Sequence, residues 1–174
     1  MKTIINTAKY ILSKESMSME KLKALCYYCQ GWSMAWDSKE LFKDDFYTMR
    51  TGISCQKLRK SVIKEDIREK NPDELTEKDL LGYLEPDDLE GGSADKLTDN
   101  QKDTIDKVCM YYGRFDSQKL NKMIMSSKPW KDAAEKNSGH SKISRKSMNV
   151  YYTELYRGAR ENAETLFQKR QRRC

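Results

Sequence analysis

Apolar residues recur at helical spacing over most of the chain. Residues 4–14 (IINTAKYILSK) place apolar side chains on one face, which predicts a first helix. A second helix is predicted to begin at Ser18, because serine is a preferred N-cap residue. Cys26 and Cys29 fall on the buried face of this helix, whose apolar positions follow intervals of three and four: Leu22, Leu25, Cys29, Trp32 and Trp36.

The pattern changes after the second helix. In residues 40–54 the interval between apolar residues becomes shorter and strand-like, which predicts a β-hairpin. The pair Asp44-Asp45 lies between its apolar residues. Residues 54–70 return to helical spacing and predict a third helix. Residues 72–98 are acidic and contain Pro and Gly, so only short helical turns are predicted there.

The C-terminal half is predicted to be helical. Helices are expected from Thr98 or Asp99 to Tyr112, from Asp116, in 129–136, and over 144–170. The sequence therefore predicts a mainly α fold: a compact helical domain with a small β-hairpin after the second helix, and a long C-terminal helix.

Charge is distributed unevenly along the chain. Residues 65–106 carry fifteen acids and five bases, whereas residues 143–174 carry eight bases and three acids, a net charge of +5. We expect a helical domain at 1–140 and a basic C-terminal helix at 141–174 that packs on it or extends from it. The simplest interpretation is two solvated faces, and the alternatives are a basic surface for nucleic acid or an acidic surface for a basic partner.

Composition indicates a folded protein of the cytoplasm. Three Trp, ten Tyr and four Phe argue against disorder despite a charged fraction of 34%. No apolar run approaches the ~18 residues that a membrane span needs, and polar residues interrupt the apolar N-terminus as they would not in a signal peptide. Five cysteines, an odd number, fit a reducing compartment with free thiols.

Cys26 and Cys29 form a C-x-x-C, a spacing used by redox pairs and by half of a zinc site. A redox pair lies at a helix N-terminus, but these two lie about two turns inside the predicted helix. A zinc site needs two more ligands, and the chain offers no second close pair. Core packing is therefore favoured, with metal binding and redox chemistry as the alternatives.

Catalytic motifs are not found in the sequence. His140 is the only histidine and lies in a predicted Gly-Ser-Lys loop, where solvent exposure is favoured over catalysis. The sequence contains neither phosphate-binding glycine motif, G-x-x-x-x-G-K-[ST] or G-x-G-x-x-G. We predict a protein that is not an enzyme and needs no cofactor or metal.

Residues 21–32, KLKALCYYCQGW, resemble the signature K-L-Q-K-L-L-Y-Y-A-Q-G-W of the Panacea domain, the SocA-like antitoxin family. Cys26 and Cys29 replace Leu and Ala of that signature, which supports core packing. The similarity extends over roughly residues 5–135.

Two further segments are similar to family motifs but depart from them. In MRTGISCQKLR, residues 49–59, Gly52 and Leu58 match, while the usual Trp, Pro and Tyr are replaced by Met49, Ile53 and Arg59. In MIMSSKPWKDA, residues 123–133, the family's P-W and Ala are kept, and Met125 replaces the usual His.

The resemblance implies a mostly helical domain with a small β element that acts by direct protein–protein binding. The leading hypothesis is an antitoxin-like inhibitor that neutralises a protein partner. Aromatic residues and Arg are enriched at the centres of interfaces. The candidate partner-binding residues are Tyr27, Tyr28, Gln30, Trp32, Met49, Arg50, Arg59 and Trp130.

Two alternatives stay open at the level of the sequence. The protein could be a phage or mobile-element inhibitor of a host defence system, anti-CRISPR-like, with the acidic residues 65–106 blocking a basic groove. It could instead bind nucleic acid through the basic C-terminal helix, whose last residues are QKRQRRC. No membrane partner is predicted, and the oligomeric state is open.

Overall fold

Helices dominate this computed structural model, which describes residues 2–137 and 139–173. Eight α-helices follow one another along the described residues: α1 (Ile4–Lys14), α2 (Met19–Asp37), α3 (Gln56–Lys60), α4 (Glu77–Leu80), α5 (Asp99–Tyr112), α6 (Ser117–Met125), α7 (Lys128–Lys136) and α8 (Arg145–Arg172). Two antiparallel pairs of short strands join β1 (Met17–Ser18) to β4 (Tyr83–Leu84) and β2 (Tyr47–Met49) to β3 (Gly52–Ser54). The predicted fold class is confirmed.

Helix α2 is the centre of the fold and packs against α1, α5, α6 and α8. Its predicted start is confirmed, because the Ser18 hydroxyl accepts a hydrogen bond from the backbone N–H of Lys21. Every residue from 22 to 31 is buried, since neighbours cover the helix on all sides. The predicted apolar stripe is thus part of a helix with no exposed face over these ten residues.

Helix α8 confirms the predicted long C-terminal helix and has two unlike halves. Its first half packs against α2 and α7 and buries Met148 and Tyr152. In the second half every residue from 159 to 172 is exposed, so this part extends from the body of the fold. The division of the chain at residue 140 stays a prediction. Met1 and Cys174, at the ends of the two predicted parts, lie outside the described residues.

The hairpin is shorter than predicted. Its strands begin only at Tyr47, and the turn is formed by Arg50 and Thr51 with Met49 opposite Gly52. The interpretation of residues 40–54 as one hairpin is therefore wrong in its extent. The backbone of Thr48 donates to the carbonyl of Ser141 at 2.8 Å, which ties the hairpin to the segment before α8.

The Asp44-Asp45 pair contacts the beginnings of both α1 and α8. Asp44 accepts a hydrogen bond from the backbone N–H of Ile4 at 2.7 Å, in the first turn of α1, where the helix dipole favours an acid. Asp45 forms ion pairs with Lys142 at 2.9 Å and with Arg145 at 2.7 Å. These acids therefore have structural partners about 40 and 100 residues away in sequence.

The third helix ends ten residues earlier than predicted. It stops at Lys60, because Val62 pairs with Leu89 in a β-bridge and the backbone of Ile63 donates to the carbonyl of Asp88 at 2.9 Å. The pairing of Val62 and Ile63, both β-branched, with residues 88 and 89 overrides the helical spacing of the segment.

The acidic residues that follow are organised around Asp79 on the short helix α4. Asp79 accepts hydrogen bonds from the backbone N–H and hydroxyl of Thr76, and it pairs with Lys70 at 3.0 Å and Lys64 at 3.2 Å. The Thr76 hydrogen bonds, followed by Lys70, hold the pKa of Asp79 well below its usual range. The short helical turns predicted for 72–98 are present.

Candidate partner-binding surface

Three of the candidate partner-binding residues are interior. Tyr27, Tyr28 and Gln30 are 0%, 4% and 1% exposed on α2. Tyr27 packs edge-on against Phe46 at 5.2 Å, and Tyr28 stacks on Tyr112 at 3.8 Å. Both adjacent tyrosines are covered by α8, since the ring of Tyr152 lies 6.4 Å from that of Tyr27 and 6.3 Å from that of Tyr28. A role for these three in partner binding stays a prediction.

Burial keeps these phenols neutral. Desolvation raises the pKa of Tyr27 and of Tyr28 far above the usual range. It also raises the pKa of Tyr112 to about 12, although the indole N–H of Trp32 donates to the Tyr112 hydroxyl at 2.9 Å. The aromatic core therefore contributes packing and the Trp32–Tyr112 hydrogen bond, and its phenols carry no charge near neutral pH.

Gln30 fastens the chain that follows α2. Its side-chain amide donates to the carbonyl of Phe42 at 2.9 Å, and its oxygen accepts the backbone N–H of Leu41 at 2.8 Å. Both partners lie in an irregular segment whose polar backbone groups are buried and need partners. Gln30 thus positions the segment that leads into the hairpin.

The hairpin turn and α6 form a shallow groove on the surface. Arg50 and Thr51 line one wall, Asn121, Lys122 and Met125 of α6 line the other, and the groove has a volume of about 410 Å³. Arg50 and Lys122 are exposed. We call this surface the hairpin groove, and it combines the cations of Arg50 and Lys122 with the carboxylate of Glu20 and the thioether of Met125.

Gly52 joins the hairpin to α6 and α7. Its φ of 148° is a conformation that favours glycine, and a Cβ there would lie 2.1 Å from the Asn121 amide oxygen. The indole N–H of Trp130 donates to the Gly52 carbonyl at 2.8 Å. Trp130 therefore fixes the hairpin beside α6, and its ring stays half-buried next to the groove.

The other candidate residues are dispersed. Met49 is half-buried on the hairpin strand that leads to Arg50. Trp32 is half-buried on α2, where it stacks on Trp36 at 4.9 Å, and Arg59 is exposed on α3. The structure therefore brings together Met49, Arg50 and Trp130 and leaves Trp32 and Arg59 on other elements.

Comparison with protein families matches residues 22–131 to the family described as antitoxin SocA-like, Panacea domain. The match begins in the first turn of α2, includes the hairpin, α5 and α6, and ends after the first turn of α7. This chain belongs to the SocA-like Panacea family. Comparison with curated proteins and with solved structures finds no match.

The Panacea signature at 21–32 has a structural role here. The Lys21 ammonium donates to the carbonyl of Gly113 at 2.6 Å, just past the end of α5, where cations are favourable. Gly31 leaves room for the ring of Tyr152 from α8. Sequence reasoning missed both contacts, because their partners lie 92 and 121 residues away.

The two cysteines of the Panacea signature are buried, as predicted. Cys26 and Cys29 are both 0% exposed in the middle of α2, and burial raises the pKa of both thiols. Cys55 is also buried with a raised thiol pKa, and Cys109 is half-buried. The environment favours neutral thiols that fill the core, whereas redox or metal chemistry needs thiolates.

His140 is exposed, as predicted, and its ring stacks on Tyr47 at 4.8 Å. Within residues 2–137 and 139–173, no group of three Cys, His, Asp or Glu side chains is placed to hold a metal ion. Every helix among the described residues is either too short or too polar to span a lipid bilayer.

Proposed function

We propose that this Panacea protein is an antitoxin that neutralises a protein toxin by direct binding, in the cytoplasm and without a catalytic step. The family match over residues 22–131 carries the proposal. The antitoxin description of that family supports a protein partner rather than a small-molecule substrate.

The hairpin groove is the surface we assign to the toxin. It lies almost entirely within the matched residues, and the candidate Arg50 lines it. The candidates Met49 and Trp130 lie beside the same turn, since Met49 pairs with Gly52 and Trp130 donates to the Gly52 carbonyl. Arg, Met and Trp are enriched at the centres of protein interfaces. Arg50 and Lys122 favour a toxin with an acidic contact surface.

The hairpin side of the groove is also held in place by contacts with other elements. Trp130 and Asn121 hold Gly52, and the hairpin is fastened at its other side to Ser141. A surface held by such contacts loses little conformational entropy when a partner binds. This supports recognition by a preformed surface rather than by a segment that folds on the toxin.

Co-expression tests the proposal directly. Each gene that neighbours the one for this chain is expressed in a susceptible host, alone and together with the chain, and growth is measured. We expect at least one neighbour to arrest growth alone and to be neutralised by the chain. A double variant, Arg50→Glu with Lys122→Glu, should lose neutralisation while staying folded, since both side chains are exposed.

A matched variant provides the control. Lys39→Glu with Lys57→Glu makes the same change of charge at exposed positions outside the groove and should neutralise like the wild type. Failure of the chain to relieve any toxic neighbour would argue against the antitoxin proposal. Equal loss in both double variants would argue against the hairpin groove alone.

A further inference from the structure

The second half of α8, residues 157–172, is here called the projecting helix, and an apolar stripe of α8 continues along it. The stripe follows spacings of four and three: Tyr152, Tyr156, Ala159, Ala163 and Leu166. Tyr152 is 2% exposed against α2, whereas Leu166 and Phe167 are each 61% exposed. The buried seam of α8 therefore continues into solvent, where an amphipathic face is expected to have a partner.

The projecting helix is also positively charged. It carries five cations against Glu161 and Glu164, a net charge of +3, and three of the cations lie in its last turn. Helix α8 lies outside the residues matched to the Panacea family. We therefore expect the surface that covers the projecting helix to be both apolar and acidic.

The chain itself has such a surface at residues 63–90, here called the acidic stretch. It contains eleven acids and four bases, a net charge of −7. Ile63, Leu80 and Leu81 are 58%, 66% and 54% exposed there. Large exposed apolar side chains on a charged surface are typical of interaction sites.

Within one chain these two surfaces have separate neighbours. The ion pairs of the acidic stretch join its acids to its own Lys64, Arg68, Lys70 and Lys78. Among the described ion pairs of α8, the cation is Arg145, at the opposite end from the projecting helix. The charge of each surface is thus left to be matched by another molecule.

We propose that the projecting helix of one copy docks on the acidic stretch of a second copy of this chain. The exposed leucines and Phe167 would be buried in the contact, and the opposite charges would set its orientation. If each copy donates its helix to the other, the exchange closes as a two-fold dimer. The inference does not depend on the proposed antitoxin function.

Nucleic acid fits the projecting helix less well than a second copy does. Phosphates would pair with its cations but would leave Leu166 and Phe167 exposed, and Glu161 and Glu164 would oppose them. A second copy supplies an acidic and an apolar surface together.

Sedimentation of the purified, nuclease-treated chain over about 1 μM to 500 μM tests self-association. Each of two variants reverses the charge of one of the two proposed contact surfaces. The helix variant carries Lys169→Glu, Arg170→Glu and Arg172→Glu, and the stretch variant carries Glu74→Lys, Glu77→Lys and Asp87→Lys. All six side chains are exposed, so both variants should fold. A control reverses three exposed lysines elsewhere: Lys39→Glu, Lys119→Glu and Lys131→Glu.

The proposal expects the wild type and the control to self-associate and each variant alone to weaken association at least about tenfold. An equimolar mixture of the two variants should associate again, because each supplies the partner that the other needs. A wild type that is monomeric throughout would overturn the proposal. Variants that associate like the wild type, a mixture that stays monomeric, or association only with added nucleic acid would each overturn it as well.

Discussion

Tyr152 of α8 lies so close to Gly31 of α2 that a Cβ at position 31 would come within 2.4 Å of its ring. This contact lies between two helices that both contribute rings to the aromatic core. Gly31 is therefore required by packing, and Tyr152 is the residue that requires it.

Gly31→Ala should destabilise the fold. The ring of Tyr152 is buried and cannot move aside, so we expect a loss of about 1–3 kcal/mol in the free energy of unfolding, as for other overpacked cores. Urea denaturation measures the loss. Gly158→Ala is the control, because nothing lies within 4 Å of its Cβ position and alanine should stabilise α8 by about 0.5–1 kcal/mol. Equal stability of Gly31→Ala and the wild type would contradict the packing argument.

Trp130→Phe should loosen the hairpin groove. The substitution removes the hydrogen bond to the Gly52 carbonyl, and we expect a loss of about 1 kcal/mol in stability. Amide hydrogen exchange of residues 47–54 should also become faster. Trp36→Phe is the matched control, because Trp36 is held by stacking on Trp32 and lies away from the hairpin. Faster exchange of the hairpin in the control as well would contradict a specific role for Trp130.

The thiols should differ in reactivity in the folded protein. Cys26 and Cys29 are buried and burial raises their pKa, so alkylation by iodoacetamide at about pH 8 should be slow, since the thiolate is the reactive form. Cys109 is half-buried and should react first among the four described thiols. Peptide mass spectrometry measures the order, and denatured protein is the control. Rapid native labelling of Cys26 would contradict the core interpretation.

Asp79 should make the acidic stretch sensitive to low pH. Its pKa is depressed in the folded state by the Thr76 hydrogen bonds, so its contribution is present above the unfolded-state pKa of about 3.9 and is lost as pH falls toward the folded-state pKa. Asp79→Asn should therefore be less stable than the wild type at neutral pH, and the difference should shrink as pH falls below about 4.

Denaturation of the wild type and of Asp79→Asn across this pH range measures the effect. Asp87→Asn is the control, because Asp87 is exposed and has no described ion pair, and it should behave like the wild type. A difference between Asp79→Asn and the wild type that is constant with pH would contradict the ionic argument.

The helices with long, regular periodicity were predictable from the sequence, and the points of tertiary pairing were not. α2, α5 and α8 have local caps and apolar spacing that specify them. The length predicted for α3 was too great, because the spacing of apolar residues over 54–70 gives no sign of the β-bridge between Val62 and Leu89. The ion pair of Asp45 with Arg145 had no local signal, because the two residues are 100 positions apart.

The candidate site was predictable in part. The Panacea signature identified the family, but its tyrosines and Gln30 are buried. A family signature contains residues that pack the core as well as residues that bind partners. Met49, Arg50 and Trp130 come from two separate motifs, and only the fold shows that they meet at Gly52. Asn121 and Lys122 had no sequence signal, because they contribute only by lying across from the hairpin turn.

Calorimetric titration of the purified chain with the toxin identified by co-expression tests the central claim most directly. We expect saturable binding by the wild type and by Lys39→Glu/Lys57→Glu, and binding at least about tenfold weaker for Arg50→Glu/Lys122→Glu. Neutralisation of the toxin without measurable binding would contradict a direct-binding antitoxin, and undiminished binding by Arg50→Glu/Lys122→Glu would contradict the hairpin groove as its contact surface.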